Sequence, residues 1–105
     1  MLSIYSDMLE VIRELRPRFE TIDRRDADLA RQLRRAASSV VLNIAEGSGS
    51  FGRMRLARYR TALGSARETL ACLCVAEAHG YVEPTPEVVS RRMNRVIGTL
   101  VRVAA

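Results

Sequence analysis

RQLRRAASSVVLNIAEGSGSFGRMRLARYRTALGSARETLACLCVAE, residues 31–77, decides the fold: two apolar-periodic segments flank a glycine-rich hinge, and arginines crowd both. In the first segment Leu29, Leu33, Ala36, Val40 and Ile44 recur at spacings of three and four, the inward face of an amphipathic helix. That helix is expected from about Asp26 to Glu46. Asp23, Asp26 and Asp28 stand just ahead of Leu29, where carboxylates cap and complement a helix N-terminus. Gln32, Ser39, Asn43 and Glu46 form a polar ridge beside the inward face, while Val41, Leu42 and Ala45 fall on the other side. This apolar surface is wider than an isolated bundle needs and points to a subunit interface.

After the hinge, Leu56, Tyr59, Leu63, Ala66, Leu70 and Leu73 mark the seam of another helix, expected from about Gly52 to His79. Ala57, Gly64, Ala71 and Ala78 repeat at heptad spacing as a stripe of small residues that lets a further helix approach closely. Gly64 lowers helix propensity, so a packing role is expected for it. With Val41, Leu42 and Ala45, the residues Ala57, Gly64 and Ala71 make the expected oligomer interface. Arg53, Arg60 and Arg67 recur at the same heptad interval, placed to pair with Glu46 or Glu68. Asn43, Glu46, Arg60, Arg67 and Glu68 are read together as buried polar anchors that fix helix register.

The hinge itself, Gly47-Ser48-Gly49-Ser50-Phe51-Gly52, satisfies G-x-G-x-x-G. That fingerprint serves a dinucleotide only between a strand and a helix, and here a helix precedes it. The reading is a C′ glycine at Gly47 followed by a flexible turn. A phosphate contact near Ser50 and Arg53 is a minor alternative.

Outward from this pair, the chain begins with Tyr5, Met8, Ile12, Leu15, Phe19 and Ile22, a helical seam with Ser3 as N-cap. Pro17 interrupts it, and because the seam continues beyond, a kink is expected and not an end. At the other side Gly80 is a C′ stop. Thr85 as N-cap, Pro86 at the first helical position and Glu87 in the first turn then start a last helix. Its inward face is Val89, Met93, Val96, Leu100 and Val103, with Ala104 and Ala105 frayed. Four amphipathic helices with short connections and no alternating segment give an all-α fold, an antiparallel up-down-up-down four-helix bundle. Residues 1–105 form one domain, long enough to bury roughly 65% of the unfolded surface in a single core.

The formal charge is +5, and apart from His79 every basic side chain is arginine. Guanidinium forks match phosphate and carboxylate, so nucleic acid or an acidic protein is a fitting partner. Cys72 and Cys74 would project about 200° apart on a helix, so they read as small buried hydrophobes and not as a bridge or a metal pair. The opening MLSIYSDMLE has no basic region ahead of an apolar run, and no stretch reaches membrane-spanning length. A cytoplasmic protein with no membrane association is expected.

At Gln32-Leu33-Arg34-Arg35-Ala36-Ala37, and through Ser39-Val40 to Asn43-Ile44-Ala45-Glu46-Gly47, the chain resembles the four-helix-bundle proteins named for the intervening sequences of 23S ribosomal RNA genes, the S23 family. Arg58, Ala62-Leu63-Gly64-Ser65-Ala66 and Glu68 match that family's third-helix motif, and Gly80-Tyr81 its turn before the last helix. The likeness covers nearly the whole chain. It differs at Val41, where many relatives carry proline, so a straighter second helix is expected. It differs also at Phe51-Gly52-Arg53-Met54-Arg55, where relatives are often aromatic and lysine-rich. The resemblance implies a homo-oligomer, a pentamer. It also brings in a similar protein, the accessory variability determinant of diversity-generating retroelements, a basic pentamer that works with a reverse transcriptase and its RNA. No catalytic residues or cofactors are implied.

The leading functional reading is a non-enzymatic oligomeric scaffold that binds nucleic acid, structured RNA above all, with DNA also open. Candidate phosphate contacts are Arg24, Arg25, Arg31, Arg34 and Arg35 on the second helix and Arg53, Arg55 and Arg58 at the start of the third; the same arginines read equally well as a solvated face or as salt bridges between subunits. Low aromatic content counts against stacking on single-stranded bases. The alternative is an interaction module docking an acidic protein, such as a polymerase or a co-encoded protein. An enzyme is disfavoured: no nucleophile–base pair or metal set is present in the sequence, and His79 falls at a helix C-terminus.

Overall fold

The computed structural model describes residues 2–105. Its helices are α1 (Ile4–Arg25), α2 (Ala27–Ser48), α3 (Gly52–Ala78) and α4 (Glu87–Val103), with no strand among the described residues. Each helix packs on its neighbour in the chain, and α4 closes the set by packing on α1. The body measures 42 × 24 × 20 Å. None of the helices is long and apolar enough to cross a membrane.

In α1 the buried residues are Ile4, Met8, Val11, Leu15, Phe19 and Ile22. Tyr5 and Ile12, placed on the seam by sequence, sit at its edge instead, partly buried. A tyrosine hydroxyl is better kept near water, which favours Ile4 for the inward position. Ser3 occupies the N-cap position but its side chain makes no capping bond. The helix runs unbroken through Pro17. The next residue, Arg18, binds the connection between α3 and α4, donating to the carbonyls of Glu83 (2.6 Å) and Pro84 (2.9 Å).

One residue, Asp26, separates α1 from α2. Its backbone is extended (φ −159°, ψ 90°), and its Oδ1 accepts the Leu29 N–H at 3.0 Å, the N-cap bond expected of an aspartate here. Its Oδ2 accepts the Tyr81 hydroxyl at 3.3 Å. Burial, followed by the charge and hydrogen bond of Asp26, raises the pKa of Tyr81 above its ordinary value. All five residues expected on the inward face of α2 are buried, joined by Ala30, Ala37 and Val41.

The end of α2 differs from expectation. Gly47 does not stop the helix but lies buried within it, and Gly49 is the C-cap. A Cβ on Gly47 would lie 2.5 Å from Cε1 of Tyr59 and 2.7 Å from Cδ1, so glycine is required there for the ring to approach.

The buried face of α3 is Tyr59, Ala62, Ala66, Thr69, Cys72, Leu73 and Ala76. Leu56, Leu63 and Leu70 are only half-buried. The helix turns Ala62, Ala66 and Ala76 inward, and Thr69 is tolerated at 0% exposure because its hydroxyl donates to the Ser65 carbonyl at 2.8 Å. Cys72 is buried as expected, and burial, then the nearby Glu68 charge, pushes its thiol pKa up. Cys74 is exposed, contrary to expectation, since it points away from that face.

A positive-φ glycine, Gly80 (φ 75°), ends α3 as expected. The Tyr81 N–H reaches the Ala76 carbonyl (2.9 Å) and the Gly80 N–H that of Glu77 (2.9 Å), the paired bonds of a Schellman motif. Thr85 is not the N-cap of α4; Pro86 is. Thr85 instead donates both its N–H and its hydroxyl to Oε1 of Glu77, the hydroxyl at 2.8 Å, tying the start of α4 to the end of α3. Val89, Met93, Val96 and Leu100 are buried as expected. Ala104 is not frayed: it is 7% exposed and its carbonyl accepts Arg60 Nε at 3.2 Å.

Contacts between helices run in opposite numerical order. Along α1 and α4 the ion pairs are Asp7–Arg95 (3.0 Å) and Glu14–Arg92. Along α2 and α3, Gln32 meets Glu68, Ser39 meets Ser65 and Glu46 meets Arg58. Each fully buried Leu or Ile side chain contributes about 1.5–3 kcal/mol through its apolar surface, and the core residues of all four helices belong to one cluster.

Two substitutions test this packing. Gly47→Ala gains helix propensity but overpacks Tyr59, so chemical denaturation should show a net loss of about 1–2 kcal/mol; unchanged stability would mean the ring swings aside freely. Asp26→Ala removes the cap at the one-residue junction and should cost about 1–2 kcal/mol, with Asp26→Asn recovering most of it.

Candidate functional site

The densest grouping of the expected site residues lies along the α2–α3 groove. Ser39 Oγ and Ser65 Oγ are 2.7 Å apart and form part of its floor. Asn43 Nδ2 donates back to the Ser39 carbonyl (2.9 Å) and to Ser39 Oγ (3.1 Å), which fixes the amide against α2. Two adjoining hollows of about 500 Å³ and 480 Å³ open above this floor and share Arg35 and Ser39. Arg31, Gln32 and Glu68 line the first; Arg34, Leu42, Glu46 and Arg58 line the second.

Helical spacing places these groups. Arg31, Arg35, Ser38 and Leu42 follow one another at intervals of four, three and four on the outer ridge of α2. Arg34 leans toward α1, its guanidinium 5.7 Å from the Phe19 ring centroid. Carboxylates neutralise part of the set: Arg31 pairs with Asp28, and Arg58 with Glu46 at 2.9 Å. Neither Arg34 nor Arg35 has an ion pair or a hydrogen bond among the described residues. The groove is therefore lined by Arg35, exposed and uncompensated, by Arg34 at its α1 edge, likewise uncompensated, and by two compensated arginines, Arg31 and Arg58, an arrangement suited to holding an anion.

The other arginines proposed for phosphate contact lie elsewhere. Arg24 and Arg25 belong to the last turn of α1 and not to the second helix, because the chain breaks at Asp26. Arg24 reaches Thr21 Oγ1 at 3.5 Å, and Arg25 lies 5.6 Å from the centroid of the Tyr81 ring. Arg55 secures the turn between α2 and α3, donating from Nε to the carbonyls of Gly47 (3.2 Å) and Ser50 (2.9 Å). Arg53 is exposed at the same turn.

The buried-anchor reading needs correction. Glu46, Arg60, Arg67 and Glu68 are exposed, and Asn43 is half-buried. Glu46 pairs with Arg58, not with Arg60 or Arg67, since α3 aims position 58 at the end of α2. An exposed pair of this kind contributes about 0.2–1 kcal/mol. Among the described residues Glu68 accepts a hydrogen bond only from Gln32, at 3.5 Å, and Arg60 binds the Ala104 carbonyl. Of the expected oligomer interface, Val41 is 7% exposed and already occupied in the core. Leu42 is 61% exposed. Ala45 is half-buried, and Ala57, Gly64 and Ala71 are exposed, with open space beside Gly64 within the single chain.

Sequence reasoning did not find the Ser39–Ser65 pair, because two serines on different helices carry no spacing signal. Phe51, a bare aromatic inside a Gly-Ser turn, is a further residue that helical spacing does not single out. Among the described residues no three His, Cys, Asp or Glu side chains are grouped to hold a metal ion. His79 is exposed and stacks on Tyr81 with ring centroids 4.9 Å apart.

No curated protein and no solved structure matches the chain. Residues 3–101 do match the family described as 23S rRNA-intervening sequence protein, a span that includes both walls of the groove. With nearly its whole length matched, the chain belongs to the 23S rRNA-intervening sequence protein family.

Proposed function

We propose that the protein is a non-enzymatic, homo-oligomeric scaffold that holds structured RNA by its phosphates along the α2–α3 groove. The carrying observation is the exposed Arg34–Arg35 pair, without a carboxylate partner among the described residues, which lines a hollow of about 480 Å³ together with Arg58. Unpaired guanidinium groups lose little on meeting a phosphate, whereas Arg31 and Arg58 must first be released from Asp28 and Glu46. The contact set thus centres on Arg34 and Arg35, with Arg31 and Arg58 in support. DNA offers the same phosphates, so RNA shape and 2′-hydroxyls must supply any preference.

The opposite numerical order of the α1–α4 and α2–α3 contacts supports an antiparallel up-down-up-down bundle. Exposed Leu42 and the small-residue stripe of Ala57, Gly64 and Ala71 support association between copies. The family resemblance supports a pentamer for that assembly and implies no cofactor; a cytoplasmic location is part of the proposal. The likeness to the retroelement accessory protein supports a reverse transcriptase as a working partner.

Leu42 favours a second reading. It opens onto the hollow beside Arg34 and Arg35, and an apolar group ringed by cations also fits an acidic protein.

Binding to a labelled RNA hairpin and a matched DNA duplex across about 50–200 mM salt tests the first reading. A steep log–log dependence is expected, and Arg34→Ala with Arg35→Ala should reduce its slope by about 2. Negligible binding at low salt, alongside co-purification of an acidic protein lost in the same double variant, would establish the second reading instead.

A further inference from the structure

We infer that Phe51 is a stacking platform for an unpaired nucleobase, set at the α2–α3 turn so that an RNA loop or bulge is held there while its backbone lies on the arginines. The inference rests on the phosphate-binding reading and adds to it the part of the RNA that is recognised.

The chain has three tyrosines and two phenylalanines. Phe19 and Tyr59 are buried in the core, at 7% and 6% exposure. Tyr5 packs against the core, and Tyr81 is occupied by His79 and Asp26. Phe51 alone stands out from the body, with 83% of its surface exposed and only the Arg55 guanidinium near its ring among the described residues. Local structure does not account for it. Phe51 stands at the N-cap of α3, where Ser, Thr, Asp or Asn would satisfy a backbone N–H, and it makes no capping bond.

The turn that carries the ring is pinned. Ser50 Oγ donates to the Glu46 carbonyl (2.7 Å), and the Gly49 N–H is shared between the carbonyls of Ala45 (3.3 Å) and Glu46 (3.2 Å). Arg55 Nε closes the turn from the other side through Gly47 and Ser50. A ring presented on an ordered turn loses little conformational freedom when a ligand covers it.

Charge selects the ligand. Between Glu46 and Glu68 the chain holds no carboxylate and five arginines, Arg53, Arg55, Arg58, Arg60 and Arg67. Glu46 is already paired with Arg58. The Arg55 guanidinium lies 5.7 Å from the Phe51 centroid, so the ring and a cation are presented together, as base and phosphate are in a nucleic acid. A second copy meeting this turn face to face would bring like charges together. A base within a duplex has both faces covered, so the platform takes one from a loop, bulge or single strand.

The test uses the full-length protein with an RNA hairpin carrying 2-aminopurine in its loop and a blunt duplex of the same stem. The wild-type protein should bind the hairpin more tightly than the duplex and quench the loop fluorophore. Phe51→Leu should weaken hairpin binding about tenfold and abolish the quenching, leaving duplex affinity and sedimentation unchanged; Phe51→Tyr should behave as wild type. Equal, salt-dependent binding of both probes by the wild type overturns the stacking while sparing the phosphate reading. No binding of either probe overturns both. A changed sedimentation coefficient in Phe51→Leu overturns the stacking by assigning the ring to a contact between copies.

Discussion

The carboxylate of Asp26 joins three parts of the chain at one point. One oxygen caps α2, the other accepts from Tyr81 in the α3–α4 connection, and the extended backbone between them is the entire link from α1 to α2. With a single residue in the link, α2 has no slack in which to choose its position along α1. The burial pattern of the first two helices is consequently fixed by where this turn falls. Tyr81 then carries the same constraint to the far side of the bundle, where Glu77, Thr85 and Arg18 secure the entry to α4.

The helices were legible in the sequence where large apolar residues recur, and less so where they do not. In α4 the spacing of Val89, Met93, Val96 and Leu100 identified the buried face directly. In α3 half of the expected seam is buried, Tyr59, Ala66 and Leu73, and half is not. Leu56, Leu63 and Leu70 flank the face, which is completed by Ala62, Thr69, Cys72 and Ala76. A hydropathy pattern assigns little weight to alanine and threonine, yet these residues permit close approach, and a threonine with its own backbone acceptor is no burden inside. Gly47 misled for a related reason: glycine after a helical run reads as a stop, and only the position of Tyr59 reveals that it is a space left for a ring.

The candidate site was legible as composition but not as arrangement. Arginine density on α2 and α3 located the basic surface. Which guanidinium groups are free depends on carboxylates reached across the groove or one turn away, and sequence spacing had matched Glu46 with Arg60 or Arg67 where the fold supplies Arg58. Arg24 and Arg25 left the site for a simpler reason, the chain break at Asp26, which puts them on another helix. Exposure was not legible at all. Leu42 and Val41 are neighbours of similar character, and one faces water while the other faces the core.

The floor of the groove has a consequence for how recognition can change. Ser39 and Ser65 touch at 2.7 Å, and small side chains within a turn of them, Ala36 on α2 and Ala62 and Ala66 on α3, are buried. These side chains act as a spacer gauge: their bulk sets how far the cations of α2 stand from those of α3. Exchanging one buried alanine for serine or valine would reset that span without altering any group a ligand touches. Relatives could thus acquire different partners from inside the bundle, with an identical set of charges on the outside.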